Sequence, residues 1–374
     1  MKIVFAGGGT GGHINPAISI ANYIKKRDCE FEALFIGTKR GLETKLVPKA
    51  GYNIKYVDVY GFDRKNLLKN IRILKKLRKS INDCVEILKE FNPDAVVCTG
   101  GYVSAPVAVA AHKLKISALI HEQNVYPGLT VKGAQKCVDY VATSFAETQN
   151  HLKDTSKCIF SGNPVREEIL KADKMTARAE LKLGEKPCVL IFGGSLGAGK
   201  INENIVKILP QLAADNKIQL IFGTGERNYQ NVLNQINKIK LPADFKILPY
   251  IDNMHTVMAA SDLVISRAGA ITVSEIAVLG KPSILIPSPN VVRNHQEQNA
   301  RELEKNNAAT VICEAELTPD VLYGEINKLV CDKSKLDKMS QNAKKMAKTD
   351  ALQILYDTVL KCVQKTKENK LNSK

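Results

Sequence analysis

One unit recurs three times along this chain: a short apolar strand, a glycine-rich turn, then a helical pattern. It runs first through Ile3–Ala6, the turn 7–12 and a helix from about Pro16 to Lys26. It returns as Ala95–Cys98, Thr99-Gly100-Gly101 and a helix from about Ala105 to Lys113. It starts again at Val189–Phe192, with the turn 193–199 and a helix from about Asn202 to Leu209. Further apolar runs, Ala33–Ile36, Ser117–Ile120, Leu220–Phe222, Leu263–Ile265 and Ser283–Ile286, alternate with helical segments. Such alternation predicts parallel sheets covered by helices on both faces. The restart near residue 188 predicts two Rossmann-like domains joined near Asn163-Pro164, and 374 residues accommodate two domains. The expected bounds are 1–163, with a closing helix at about 346–366 returning to it, and 164–345. The polar, lysine-rich segment 364–374 is expected to fray.

Three glycine-rich turns at strand C-termini, each leading into a helix, offer bare backbone amides to an anionic ligand. Open parallel sheets bind ligands at that end, so a ligand cleft between the domains is expected. Two familiar readings of such turns fail. Residues 7–12 satisfy G-x-G-x-x-G, but a dinucleotide site wants an acid closing the second strand. Here that strand runs out as Ile36-Gly37-Thr38-Lys39. Residues 194–200 match the glycines and lysine of a P-loop, but Ile201 stands where Ser or Thr would hold magnesium.

Charge adds a second constraint. A net charge of +16 predicts an anionic partner: nucleic acid, acidic lipid headgroups or a phosphorylated substrate. Aromatics are only 6%, tryptophan is absent and no binding motif accompanies the charge, so nucleic acid is set aside. The segment 64–79 carries eight lysines and arginines and no acid. Leu67, Ile71, Leu74 and Leu77 form one helical stripe and Lys65, Lys69, Arg72, Lys76 and Lys79 another, the pattern of a helix lying on anionic lipid or of a core-facing helix with a solvated face. The nine cysteines are unpatterned and suggest neither disulfide framework nor zinc site. No apolar run is long enough for a signal peptide or a spanning helix.

In the second half, Ser266-Arg267-Ala268-Gly269 follows a strand and enters a helix near Ala270 or Ile271. That helix N-terminus suits a diphosphate. Glu275, about one turn in, is placed to accept two ribose hydroxyls. Asn294 to Ala300 open another helix, rich in amides suited to sugar hydroxyls.

Taken together, Gly-Gly-Thr-Gly-Gly-His (8–13), Gly-Gly-Tyr-Val-Ser-Ala-Pro (100–106), His-Glu-Gln-Asn (121–124), Asn-Pro-Val-Arg (163–166), Gly-Gly-Ser-Leu-Gly-Ala (193–198) and Ser-Arg-Ala-Gly-Ala-Ile-Thr-Val-Ser-Glu (266–275) resemble the family 28 glycosyltransferases of peptidoglycan synthesis. The resemblance spans the chain in order. It implies the GT-B fold, two Rossmann-like domains facing each other across a cleft. It implies UDP-N-acetylglucosamine as donor and lipid I, undecaprenyl-diphospho-N-acetylmuramoyl-pentapeptide, as acceptor, joined with inversion into a β-1,4 bond without a cofactor or bound metal. It further implies a peripheral place on the cytoplasmic side of the cell membrane, with anionic inner-leaflet lipids and other cell-wall and division proteins as partners.

Carried onto this sequence, the family's donor contacts fall on Thr10, Gly11, Gly12, Asn124, Arg166 and Ser195. The uracil clamp falls on Ile251. Ala270, Ile271, Thr272, Val273, Ser274 and Glu275 fall on the diphosphate and ribose, and Gln296 on the sugar. Where the family often has paired glutamines this chain has His295-Gln296. His13 is the first candidate base, since an untuned imidazole titrates near neutrality. Glu122 is the alternative base or the group that orients it. Tyr102 and Ser104 are acceptor-side candidates. A diacylglycerol glycosyltransferase, a UDP-sugar epimerase and a non-catalytic nucleotide-binding protein are the rival readings.

Overall fold

The computed structural model describes residues 1–59, 67–194 and 197–372; for 67–75 and Val292 it describes the backbone alone. The chain forms two compact units, Met1–Val165 with Asp350–Lys374, and Arg166–Thr349.

Among the described residues, the first unit holds a seven-stranded sheet, ordered β3-β2-β1-β4-β5-β6-β7. Its strands are β1 (Lys2–Gly7), β2 (Glu32–Gly37), β3 (Asn53–Tyr56), β4 (Ala95–Gly100), β5 (Ala118–Glu122), β6 (Tyr140–Thr143) and β7 (Cys158–Phe160). Every pairing is parallel. The chain runs outward from β1 to β3, then the helix Leu67–Phe91 carries it back to β4 on the other side of β1. The strand order therefore reverses between β1 and β4, where open sheets receive ligands.

Burial explains the unbroken apolar runs. In β1, Val4 and Ala6 join a core under the helix Ser104–Lys113, while Ile3 and Phe5 join one under the helix Gly11–Lys25. Both faces are covered, so the polar alternation of a half-exposed strand has no place. Leu355 and Val359 of the helix Ala351–Leu371 are fully buried in the second of these cores. Burial of such a side chain contributes about 1.5–3 kcal/mol.

Two local expectations need correction. Pro16 lies well inside the helix Gly11–Lys25, which begins in the glycine turn itself. The segment expected to fray continues as helix to Leu371. The Thr366 hydroxyl, buried, accepts from Ser117 N at 2.8 Å, Lys365 pairs with Asp139 at 2.6 Å, and Asn369 donates to Lys115 O at 3.0 Å. Those tertiary bonds hold a stretch that composition alone marks as loose.

The second unit carries a six-stranded parallel sheet among its described residues, ordered β10-β9-β8-β11-β12-β13. Its strands are β8 (Cys188–Phe192), β9 (Gln219–Gly223), β10 (Phe245–Leu248), β11 (Leu263–Ser266), β12 (Ser283–Leu285) and β13 (Ala309–Val311). The order reverses between β8 and β11. The third glycine turn follows β8, and the turn Arg267-Ala268-Gly269 follows β11. Among the described residues no helix is long and apolar enough to cross a membrane.

Candidate active site

In the first unit, two glycine turns interlock at the ends of β1 and β4. A Cβ on Gly7 would stand 2.2 Å from Thr99 Oγ1, and one on Gly101 (φ +77°) 2.4 Å from Gly8 O. Only bare backbone fits both positions. Thr10 precedes the helix Gly11–Lys25 in extended conformation, its side chain making no capping bond. His13 lies in the first turn of that helix. Thr99 Oγ1 donates to the His13 carbonyl at 2.7 Å, and a Cβ on Gly100 would meet His13 Cδ2 at 2.7 Å, so the imidazole rests on bare backbone. Its Nδ1 is 3.2 Å from Gly8 O.

The second turn separates its two sequence candidates. Tyr102 is 63% exposed. Ser104 is buried and corrects the expectation of an acceptor contact. Its hydroxyl accepts from Gly100 N at 3.0 Å and lies 2.8 Å from the carbonyls of Ala6 and Gly100. It ties the turn together from within.

The His-Glu-Gln-Asn motif ends β5 and is likewise turned inward. Glu122 is buried. Its Oε1 accepts from Asn124 N at 2.9 Å and Asn124 Nδ2 at 3.1 Å, and its Oε2 accepts from Gly128 N at 2.7 Å. Burial raises its carboxyl pKa while these amides oppose the rise. Both oxygens are occupied in shaping the turn 122–128, which leaves Glu122 ill-suited to the base role considered for it. Gln123 Nε2 donates to Thr99 O at 2.8 Å and lies 3.0 Å from His121 Nδ1. His121 Nε2 is 3.0 Å from Gly162 O. Burial pushes the pKa of His121 down to about 4, so it is neutral near pH 7, with its proton on Nε2 toward that carbonyl.

In the second unit, Gly269 leads in extended conformation into the helix Ala270–Leu279. Gly269, the residue before the helix, carries no side chain that could cap it, and the first turn holds no acid. Glu275 projects from it and is 5% exposed. Arg166 Nη2 donates to Glu275 Oε1 at 3.1 Å. Burial raises the pKa of Glu275 and the guanidinium opposes this. Within the same helix Val273 is buried, its N–H bonded to Gly269 O, so its side chain is core rather than a ligand contact. Ser274 Oγ donates to Ala270 O at 3.0 Å. Ile271 and Thr272 are partly exposed on the first turn. Ile251 is buried over Gly223, whose Cβ would meet it at 2.9 Å. Gln296, in the helix His295–Lys305, accepts from Ser288 N through Oε1 at 2.9 Å. Ser195 lies outside the described residues.

Residues given no individual site role from sequence build these turns. Arg267 donates to the carbonyls of Ile286 and Pro287 at 3.1 Å each, and pairs with Glu314 in a close contact off the line of a hydrogen bond. Asn299, buried, donates to Ala268 O at 3.2 Å. Glu43, fully buried in the helix Glu43–Lys49, accepts from Gly9 N, Thr38 N and Thr38 Oγ1. A charged residue near a glycine turn was the available signal, but nothing local says that Glu43 folds inward. Among the described residues no three His, Cys, Asp or Glu side chains cluster as a metal site would require.

Comparison with known proteins meets this geometry along the whole chain. The glycosyltransferase family 28 N-terminal domain matches residues 3–143 and the family 28 C-terminal domain residues 188–355. An Acetivibrio thermocellus protein named UDP-N-acetylglucosamine–N-acetylmuramyl-(pentapeptide) pyrophosphoryl-undecaprenol N-acetylglucosamine transferase is 47% identical over 368 residues, 98% of this chain and 99% of that one. A Clostridioides difficile protein of the same name is 42% identical over 99% of this chain and 91% of its own. The crystal structure of Acinetobacter baumannii MurG superposes with a TM-score of 0.78 at 27% identity, covering 96% of this chain and 99% of that one. Staphylococcus aureus MnaA with UDP, at 16% identity and a TM-score of 0.67 over 96% of both chains, shares the fold. With two parallel-sheet Rossmann-like domains in the GT-B pattern and both family domains matched in order, the chain belongs to glycosyltransferase family 28.

Proposed function

We propose that this protein transfers N-acetylglucosamine from UDP-N-acetylglucosamine to undecaprenyl-diphospho-N-acetylmuramoyl-pentapeptide, the reaction for which its full-length relatives are named. That likeness, unbroken across both units, is the observation that carries the reading. The product would be lipid II of peptidoglycan synthesis.

In this reading the second unit holds the donor. Glu275 accepts the ribose hydroxyls, and Arg166, which spends one N–H on Glu275, has others for the diphosphate. The first-turn amides of the helix Ala270–Leu279 add a partial positive charge. Backbone groups at Ile251 read the uracil, because its buried side chain cannot, and Gln296 turns its amide nitrogen to the sugar. The amides of Ser195 and of the Thr10-Gly11-Gly12 turn, with Asn124, complete the donor contacts that the family resemblance assigns. Tyr102 serves the acceptor.

The chemistry then balances as a single displacement. The acceptor hydroxyl oxygen bonds to the anomeric carbon from the face opposite UDP, and the carbon–oxygen bond to the diphosphate breaks. The leaving oxygen keeps the electron pair, and the hydroxyl proton passes to His13. Inversion follows from the one displacement.

For the membrane, the exposed Lys76, Arg78 and Lys79 of the helix Leu67–Phe91 are proposed to meet anionic headgroups. Of the rest of the basic stripe, Lys65 lies outside the described residues, as do the side chains of Lys69 and Arg72.

Radiolabelled UDP-N-acetylglucosamine with a short-chain lipid I analogue tests the reading, and the same assay is run in EDTA. Label appearing in a β-1,4-linked disaccharide-lipid in both is the expected result. Free N-acetylmannosamine or labelled glycolipid instead would replace it with one of the rival activities.

A further inference from the structure

Glu43 is a carboxylate with no exposure at all, and its partners are dipoles: Gly9 N at 2.9 Å on Oε2, and Thr38 N at 2.9 Å and Thr38 Oγ1 at 2.8 Å on Oε1. Burying a carboxylate costs several kcal/mol, so one placed under a glycine turn calls for a reason. The surrounding backbone is shaped around it. A Cβ on Gly8 would stand 2.8 Å from Glu43 Oε1, and one on Gly41 1.9 Å from Oε2.

The reason lies in one peptide unit. Gly9 N–H and Gly8 C=O belong to the same planar group, and in a trans peptide they point to opposite sides. Glu43 accepts the N–H, and the carbonyl faces His13 Nδ1 at 3.2 Å. Carboxylate, peptide and imidazole thus stand in one line of hydrogen bonds. We propose that Glu43 is a positioning residue that acts through the Gly8–Gly9 peptide on His13, holding the imidazole proton on Nδ1 so that Nε2 is the basic nitrogen. A negative charge at the N–H end polarises the amide, and the carbonyl becomes a better acceptor for Nδ1–H. The hydrogen bond on one ring nitrogen decides which tautomer is present, and so which nitrogen is basic. The arrangement does the work of a carboxylate that orients a catalytic histidine, with a peptide bond interposed. Gly9 takes φ +89° in the turn that makes both bonds, a conformation glycine adopts without strain.

The proposal rests on His13 being the base, but its test does not. The chain has six histidines, so imidazole-15N-labelled protein gives a spectrum simple enough to assign with His13→Gln. In the ligand-free protein above neutral pH, His13 is expected as the Nδ1–H tautomer; an Nε2–H tautomer there overturns the proposal without any variant. Glu43→Gln keeps the shape and removes the charge. It is expected to shift the His13 tautomer balance toward Nε2–H and to lower kcat by on the order of ten-fold, with the KM for the sugar donor within about two-fold. Thr38→Val is the control. It removes one bond to Glu43 and lowers stability, but spares the Gly9 bond and should leave the tautomer as it is. An unchanged tautomer in Glu43→Gln, or an equal shift in Thr38→Val, means that Glu43 merely braces the loop. Full activity in His13→Gln would instead refute the base assignment, while the tautomer measurement still decides the relay.

Discussion

The two sheets end differently at the points where their strand order reverses. In the first unit the polar side chains at that end are mostly turned inward: Ser104, His121, Glu122, Gln123 and Glu43 all bond to backbone or to one another. Of the candidates there, Tyr102 is exposed, and the His13 ring lies on the surface of an interlocked pair of turns. In the second unit the corresponding end carries charge, with Glu275 bonded to Arg166 on a helix whose first turn holds no acid. The contrast suggests a division of labour. On the proposed function, one unit spends its polar groups on rigidity and offers little beyond a base, while the other supplies an electrostatic receptor for a diphosphate.

The largest effect that would break this contrast falls on His13. His13→Gln should lower kcat by about 10²–10⁴ while the UDP dissociation constant, measured by calorimetry, stays put. A variant that loses UDP binding instead would move His13 from chemistry to donor binding and blur the two roles.

Acid should then strike the first unit hardest, because its inward network includes a neutral histidine. The pKa of His121 is about 4 in the fold against 6.5 for the free group, so between those values the unfolded chain binds the extra proton. Stability is complete above pH 6.5 and falls as pH drops toward 4, by about 3 kcal/mol at most. Denaturant titrations of His121→Gln across that window should show a weaker pH dependence than the unaltered protein. An equal slope would mean that acid unfolding begins elsewhere.

For the second unit, Glu275→Ala removes charge-assisted bonds worth about 1.5–3 kcal/mol each, so UDP binding should weaken ten-fold or more. Because burial raises the pKa of Glu275, UDP binding should also decline on acidification from above the usual carboxylate range. A calorimetric constant that ignores both the substitution and pH would leave the receptor without its acid.

The smallest effect is peripheral to both sites. Lys76→Gln with Lys79→Gln should weaken binding to anionic vesicles by about 1 kcal/mol per charge, and less at high salt. Turnover of a soluble acceptor should hardly change. Collapse of that turnover with vesicle binding intact would place the helix in the support of the first unit's turns.

Much of the fold was legible because strands covered on both faces must be continuously apolar. The central strands β1, β4, β8 and β11 were found within a residue or two for that reason. The short outer strands were not. Asn53–Tyr56 is largely exposed and mixes Asn and Lys with Ile and Tyr, so nothing in its pattern announces a strand. At the site, the sequence marked turns well and side-chain direction poorly. Ser104 and Tyr102 sit two residues apart in one glycine turn, yet one is buried and the other 63% exposed. Composition cannot report that difference, because it is set by which carbonyls lie beneath the turn. Glu43 was missed for the same reason, its three donors coming from positions 9 and 38.

The helix Ala351–Leu371 packs its buried face into the first unit, although the whole second unit lies between them along the chain. Read as an event on the ribosome, this separates the parts of one core in time. Residues 1–165 emerge with a patch meant for Leu352, Leu355, Val359 and Cys362 still bare. At roughly 5–20 residues per second, the wait for that helix is on the order of ten to forty seconds. During it, the second unit can complete itself, since it is one continuous stretch, 166–349. The first unit to be made is therefore the last to be finished, and a nascent chain stalled before residue 350 would display an open apolar seam that invites chaperones or aggregation.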